Sequence, residues 1–308
     1  MGFEPPGPQE RLEAIGAIDA LPVTLQRALT PDRDFQPIPV PGPQDWLTAH
    51  PEPGQTFDEF RRWQPNRPDV LQRVLYLQPL GGFPDQTNPS LERLREYAAG
   101  FFQVDVKVLA PIRIIGGEFT SRTNPATGRR QILTVDVLRV LKGRLPADAF
   151  CLLAITMEDL YPEPSWNFVF GQASLRERVG VYSFARYDPA FYGESPAKDH
   201  RTLMFRRSVK VLAHETAHMF GLNHCIYFHC LMNGSNHLDE SDHRPLHLCP
   251  VCLHKLHFSV GFDVVKRYEG LAQFYRQVGF EDEAGWISRR LQRIQAERSP
   301  GGVSARRD

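Results

Sequence analysis

The residues His214, Glu215, His218, Gly221 and His224 stand in the order HExxHxxGxxH. A four-residue spacing puts the imidazoles of His214 and His218 one helical turn apart on one face, where both reach a single metal ion. Glu215 lies about 100° around the helix, outside the ligand set but within reach of a water in an open coordination position, where a general base belongs. Gly221 permits the left-handed backbone that ends a helix and turns the chain, so that His224 brings a third imidazole. Three neutral imidazoles leave a fourth position open, which is the pattern of a catalytic rather than a structural zinc. HExxH alone is only a pointer, but the added Gly and His each lower the probability of coincidence more than about tenfold.

Immediately after His224 come Cys225 and Cys230, and then Cys249 and Cys252 in a CPVC step, so that four of the five cysteines fall within residues 225–252. Four thiolates close a tetrahedral zinc site with no open position, so this second metal would be structural and would fix the irregular stretch beside His224. Two disulfides are the rival in an oxidising compartment, and a zinc ribbon for nucleic acid is the rival on spacing alone. Cys151 lies in an apolar strand pattern with no base near it in sequence, which gives no support to a thiol nucleophile.

Around these residues the apolar pattern sets out the elements that must hold them. Strands are expected at 74–80, 104–109 and 149–156, with helices between them: one opening on Asn88 as cap with Pro89 at its first position and running to 102, another at 134–141 stopped by Gly143. That βαβαβ order argues for an α/β layer of mostly parallel strands. Two more strands, at 167–174 and 179–186, are separated by a short polar turn and should pair antiparallel. The chemistry-bearing helix is expected over about 202–222, and helical patterns follow at 260–278 and 281–297. Thirteen of the 26 prolines lie in the first 70 residues, which reads as an extended arm with sparse regular structure whose Trp46, Phe57, Phe60 and Trp63 pack onto the rest. The tail 298–308 has nothing to bury.

The stretch HETAHMFGLNHCIYFHCLM followed by LCPVC resembles the archaemetzincins, whose signature is the metzincin zinc motif followed at once by CxxxxCxM and a downstream CxxC. The likeness extends to QDWLTAHPE, to DLYPEPSWNFVFGQASLRERVGVYSFARY and to NGSNHLDESDHRPLHLCPVCLHKL, and is greatest toward the vertebrate type-2 branch. It implies a zinc-dependent peptidase of zincin-like α/β fold: a mixed, mostly parallel sheet with an antiparallel edge strand, an active-site helix, and a C-terminal helical subdomain. It assigns His214, His218 and His224 to catalytic zinc, Glu215 to water activation, and Cys225, Cys230, Cys249 and Cys252 to structural zinc, hence two Zn2+ per chain. It also makes Met232 the methionine of the turn beneath the site, where the residue alone would read as core filler. The position two residues on is Gly234, so a Tyr-assisted site is not expected. The substrate groove of metzincins is bounded by an edge strand, for which 167–174 is the candidate, with Phe170, Gly171, Gln172 and Ala173 as its substrate-binding residues.

The expected organisation is an arm at 1–70, an α/β subdomain at 71–222, a helical subdomain at 223–297 and the tail. Lys plus Arg equal Asp plus Glu at 36 each, so no global field draws the chain to nucleic acid or an anionic membrane. The opening MGFEPPGPQE lacks the basic start and apolar run of a signal peptide, and no apolar run approaches the roughly 18 residues of a membrane span. The expectation is a cytoplasmic monomer acting on a peptide or protein substrate, without nucleic-acid or membrane partners. A zinc protein that binds peptides without turnover is the alternative function.

Overall fold

Only strands covered on both faces tolerate near-continuous apolar runs, and two such runs form the centre of the molecule. The computed structural model describes residues 2–83, 89–115, 117–193, 195 and 199–296. In it β1 (Val74–Leu80) and β5 (Ala149–Thr156) are buried at every residue and pair in parallel. On the outer side of β1 lies β2 (Val106–Val108), also parallel, and on the outer side of β5 lies β8 (Val179–Ser183), again parallel. The sheet ends in β7 (Gly171–Ala173), which pairs antiparallel with β8 and has no further neighbour in this sheet. The mostly parallel α/β sheet with an antiparallel edge read from the sequence is therefore what the chain forms.

Alternate residues of these strands face two cores. Leu75, Leu77, Cys151, Leu153 and Ile155 point to the larger one, covered by α5 (Leu91–Phe102) and α7 (His200–Met219). Val74, Tyr76, Leu152 and Ala154 point to the smaller one, under α6 (Thr134–Lys142). A small second sheet, β3 (Ser121–Thr123), β4 (Arg130–Leu133) and β6 (Asp159–Tyr161), was not foreseen, since each strand is only three or four residues long. Beyond α7 come α8 (Leu238–His243), α9 (Pro250–Val260), α10 (Val264–Gln277) and α11 (Glu281–Gln295). The pattern expected at 260–278 begins at Val264, where the Asp263 carboxylate accepts from Val265 N and Lys266 N.

Three expectations are corrected. Regular structure is not sparse in the first 70 residues: they carry α1 (Pro8–Ile15), α2 (Val23–Leu29), α3 (Trp46–Ala49) and α4 (Phe57–Arg62). Too short to be stable alone, these helices are held because Ile15, Leu25, Leu29 and Phe60 enter the large core, packed against α9 and α11. The proline-rich stretch between α2 and α3 is the extended part, making an isolated antiparallel bridge from Pro37 to Phe228. Second, the cap of α5 is Ser90, whose hydroxyl accepts from Arg93 N; Asn88 and the tail 298–308 lie outside the described residues. Third, the strand expected at 167–174 is confined to β7, because Val169 N is drawn instead to Leu160 O. Among the described residues no helix is long and apolar enough to cross a membrane.

Candidate metal centre and active-site cleft

Helix α7 is buried from Ser208 to Ala217, and its packing against the sheet brings the HExxH face to one end of β7. The helix ends at Met219, and Gly221, at φ +89°, reverses the chain so that His224 returns to His214 and His218. The three ring centroids are 4.7, 5.2 and 5.0 Å apart. Each ring turns Nδ1 outward to an oxygen: His214 to Leu231 O at 3.0 Å, His218 to Leu222 O at 2.6 Å, His224 to Glu52 Oε1 at 2.8 Å. A carbonyl oxygen only accepts, so Nδ1 of His214 and His218 carries the proton and Nε2 the lone pair. Yet those two Nε2 atoms lie 3.1 Å apart, where bare lone pairs repel. A cation between them resolves this, and tetrahedral Zn–N bonds of about 2.0–2.1 Å place ligand nitrogens roughly 3.3 Å apart. Burial, then the neighbouring imidazole, lowers the proton affinity of both rings, His218 to about 3, which keeps them neutral and free to ligate.

Glu215 is buried beside this set, and burial pushes its carboxyl up to about 8 against the pull of Arg244. It touches the edge strand at Gly171, where a Cβ would stand 2.7 Å from Glu215 Oε1. A cleft of about 860 Å3 opens over the three imidazoles and Glu215, and Phe170, Gly171, Gln172 and Ala173 all line it. Ser183 N donates to Phe170 O and Ser174 N to Val179 O, so the backbone groups of Phe170, Gln172 and Ser174 face β8. By the alternation of an antiparallel pair, those of Gly171 and Ala173 face the open edge. The Gln172 side chain is engaged, accepting from the Thr134 hydroxyl.

Cys225, Cys230, Cys249 and Cys252 converge, each buried, with their Sγ atoms within 4.8 Å of one another and no disulfide among them. Cys225 Sγ and Cys249 Sγ are 3.6 Å apart, and Cys230 Sγ receives Cys249 N at 3.3 Å and Met232 N at 3.5 Å. Four buried, converging sulfurs, one of them receiving two N–H donors, are a donor set suited to zinc. Met232 is fully buried, and its carbonyl accepts from Cys225 N at 2.8 Å. Cys151 stands apart in β5, where burial pushes its thiol up and leaves it inert.

Three residues of the site were not assigned to it from the sequence, where Trp46 was expected only to pack onto the rest. Glu52 and Trp46 lie in the QDWLTAHPE segment, and the Trp46 indole N–H donates to Glu52 Oε1 at 2.9 Å. Burial raises the Glu52 carboxyl, but bonds from His224 and Trp46 outweigh it and hold it below its ordinary value. Arg244 is a buried guanidinium that donates to Asn233 O at 2.5 Å and to Ser241 Oγ at 2.9 Å, with Nη1 3.2 Å from His214 Nδ1. Position within the quoted likeness was the one signal for all three.

The chain matches peptidase family M54 over residues 126–258. It is 40% identical to archaemetzincin-2 of Homo sapiens over 279 residues, covering 81% of this chain and 77% of that one. To archaemetzincin-1 of Mus musculus it is 34% identical over 281 residues, covering 82% of this chain and 56% of that one. Among solved structures it is similar to the archaemetzincin of Methanopyrus kandleri at 30% identity, over 62% of this chain and 97% of that one, with a TM-score of 0.49.

Proposed function

Since the chain belongs to the archaemetzincins, peptidase family M54, and is thereby a zinc metallopeptidase, we propose that it hydrolyses peptide bonds at the His214, His218, His224 centre, with Glu215 as general base. The observation that carries this reading is the convergence of two lone-pair nitrogens 3.1 Å apart, with a third imidazole, beside a buried carboxylate in one cleft. Zinc bound there supplies Lewis acidity, polarising a carbonyl and acidifying water. Glu215 accepts the proton of the attacking water and passes it to the leaving amine nitrogen as the C–N bond breaks. The cysteine set holds a second, structural zinc, giving two per chain, and Met232, between Cys230 and Cys249, is the methionine of the turn beneath the catalytic site.

The substrate adds to β7 as a further strand, taking main-chain hydrogen bonds from Gly171 and Ala173. A bound peptide-mimetic inhibitor is expected to slow amide exchange at those two residues, and unchanged exchange there would dismiss the edge-strand groove. Gly171→Ala is expected to keep zinc and lower kcat about ten- to a hundredfold, because the new Cβ displaces Glu215 and small misplacements of a catalytic group are costly. Zinc analysis with steady-state kinetics checks this, and wild-type turnover would mean that Glu215 need not stay where it is.

A further inference from the structure

Two of the three imidazoles donate their outer N–H to a main-chain carbonyl, and His224 does not. Its partner is the Glu52 carboxylate, 172 positions away in the N-terminal segment. The acid is itself fixed. Trp46 Nε1 donates to the oxygen that receives His224, and the Trp46 ring stands edge-on to the imidazole at 5.1 Å. Opposite, the chain after Met232 is shaped for that ring: a Cβ on Gly234 would lie 2.3 Å from Trp46 Cδ1. The segment is pinned on both sides of Glu52. Trp46 N donates to the Glu240 carboxylate at 2.9 and 3.1 Å, and His237 Nε2 meets Asp45 Oδ1 at 3.0 Å. On the far side Gln55 Oε1 accepts from the N–H of Asn223, the residue before His224, at 3.2 Å.

We propose that Glu52 is a positioning residue of the metal centre, and that the N-terminal segment completes the site by delivering it. This rests on reading His224 as a zinc ligand. The carboxylate fixes the Nδ1–H tautomer and the ring plane, makes Nε2 a stronger donor, and sets a negative charge one residue away from the cation. The N-terminal segment is thus part of the machinery rather than a cover over it.

The test uses the full chain with Glu52→Ala, Glu52→Gln and Trp46→Phe, reading the zinc affinity of the histidine site by chelator competition, alongside kcat/KM and Tm. Glu52→Ala is expected to weaken that affinity about ten- to a hundredfold while the cysteine-bound zinc is retained. Glu52→Gln should recover part of the loss, since its amide oxygen still accepts Nδ1–H but carries no charge. Trp46→Phe should act in the same direction and less, keeping the ring but not the N–H. Wild-type zinc affinity in Glu52→Ala, whether or not Tm falls, would overturn the proposal. A wild-type chain holding no zinc outside the cysteine set would overturn the ligand assignment beneath it, which is a different result.

Discussion

Replacing Glu215 with alanine is expected to leave zinc in place and to lower kcat at least about a hundredfold, the range in which general acid–base groups act. Glu215 stands outside the imidazole set, which His214 and His218 on α7 and His224 beyond its end bring together, and its carboxyl lies against Gly171 of the edge strand. Among the described residues that line the cleft, no other carboxylate is free to take its place. Of the acids lining the cleft, Glu52 is engaged by His224 and Trp46, and Glu163 accepts from the Ser165 hydroxyl. Glu215→Gln, which preserves the volume against the edge strand, should lose as much, separating the proton-transfer role from packing. Kinetics at matched zinc content decide the matter, and near-normal turnover by a zinc-loaded variant would remove Glu215 from the mechanism.

Cys249→Ser or Cys252→Ser should bring down folding and activity together, although no cysteine belongs to the histidine set. The hairpin tied by the cysteines adjoins one residue of that set and carries the outer hydrogen-bond partner of another. Cys225 follows His224 directly, and Leu231, between Cys230 and Met232, gives the carbonyl that holds His214. Asn233 locks the hairpin, donating from Nδ2 to Cys225 O at 2.7 Å and accepting Cys230 N at 2.8 Å. Loss of the thiolate zinc therefore frees two ligands at once, and because structural zinc binding is itself folding free energy, Tm falls with it. Zinc should drop from two per chain to about one or fewer. A thiol count on non-reduced protein separates this from the disulfide reading: two disulfides with a single zinc would contradict the site, whereas zinc thiolates tolerate mild reductant.

How far the sequence reached depended on whether a feature was local. HExxHxxGxxH is written in one helix and its exit turn, so the three imidazoles and Glu215 could be placed by spacing, and their convergence follows from α7 and Gly221. β1 and β5 were legible because burial on both faces leaves a near-continuous apolar run. The edge strand was legible in kind but not in length. Its first residues are pulled away by partners elsewhere in the chain, with Asn167 O taken by Gln131 Nε2 and Val169 N by Leu160 O. Glu52 was illegible for the same reason in stronger form: apart from its place in QDWLTAHPE it looks like any other acid, and its role exists only once His224 is folded against it. The N-terminal helices were hidden by the prolines between them and are stabilised by tertiary packing rather than by propensity.

The most direct measurement is turnover of a peptide library by the wild-type chain at known zinc content, before chelation, after it, and after zinc is restored. The expected result is amide cleavage that disappears as zinc per chain falls from two to one and returns when the second equivalent is replaced. No cleavage by a chain holding both zincs, or cleavage that persists once the histidine-bound metal is gone, would contradict the account.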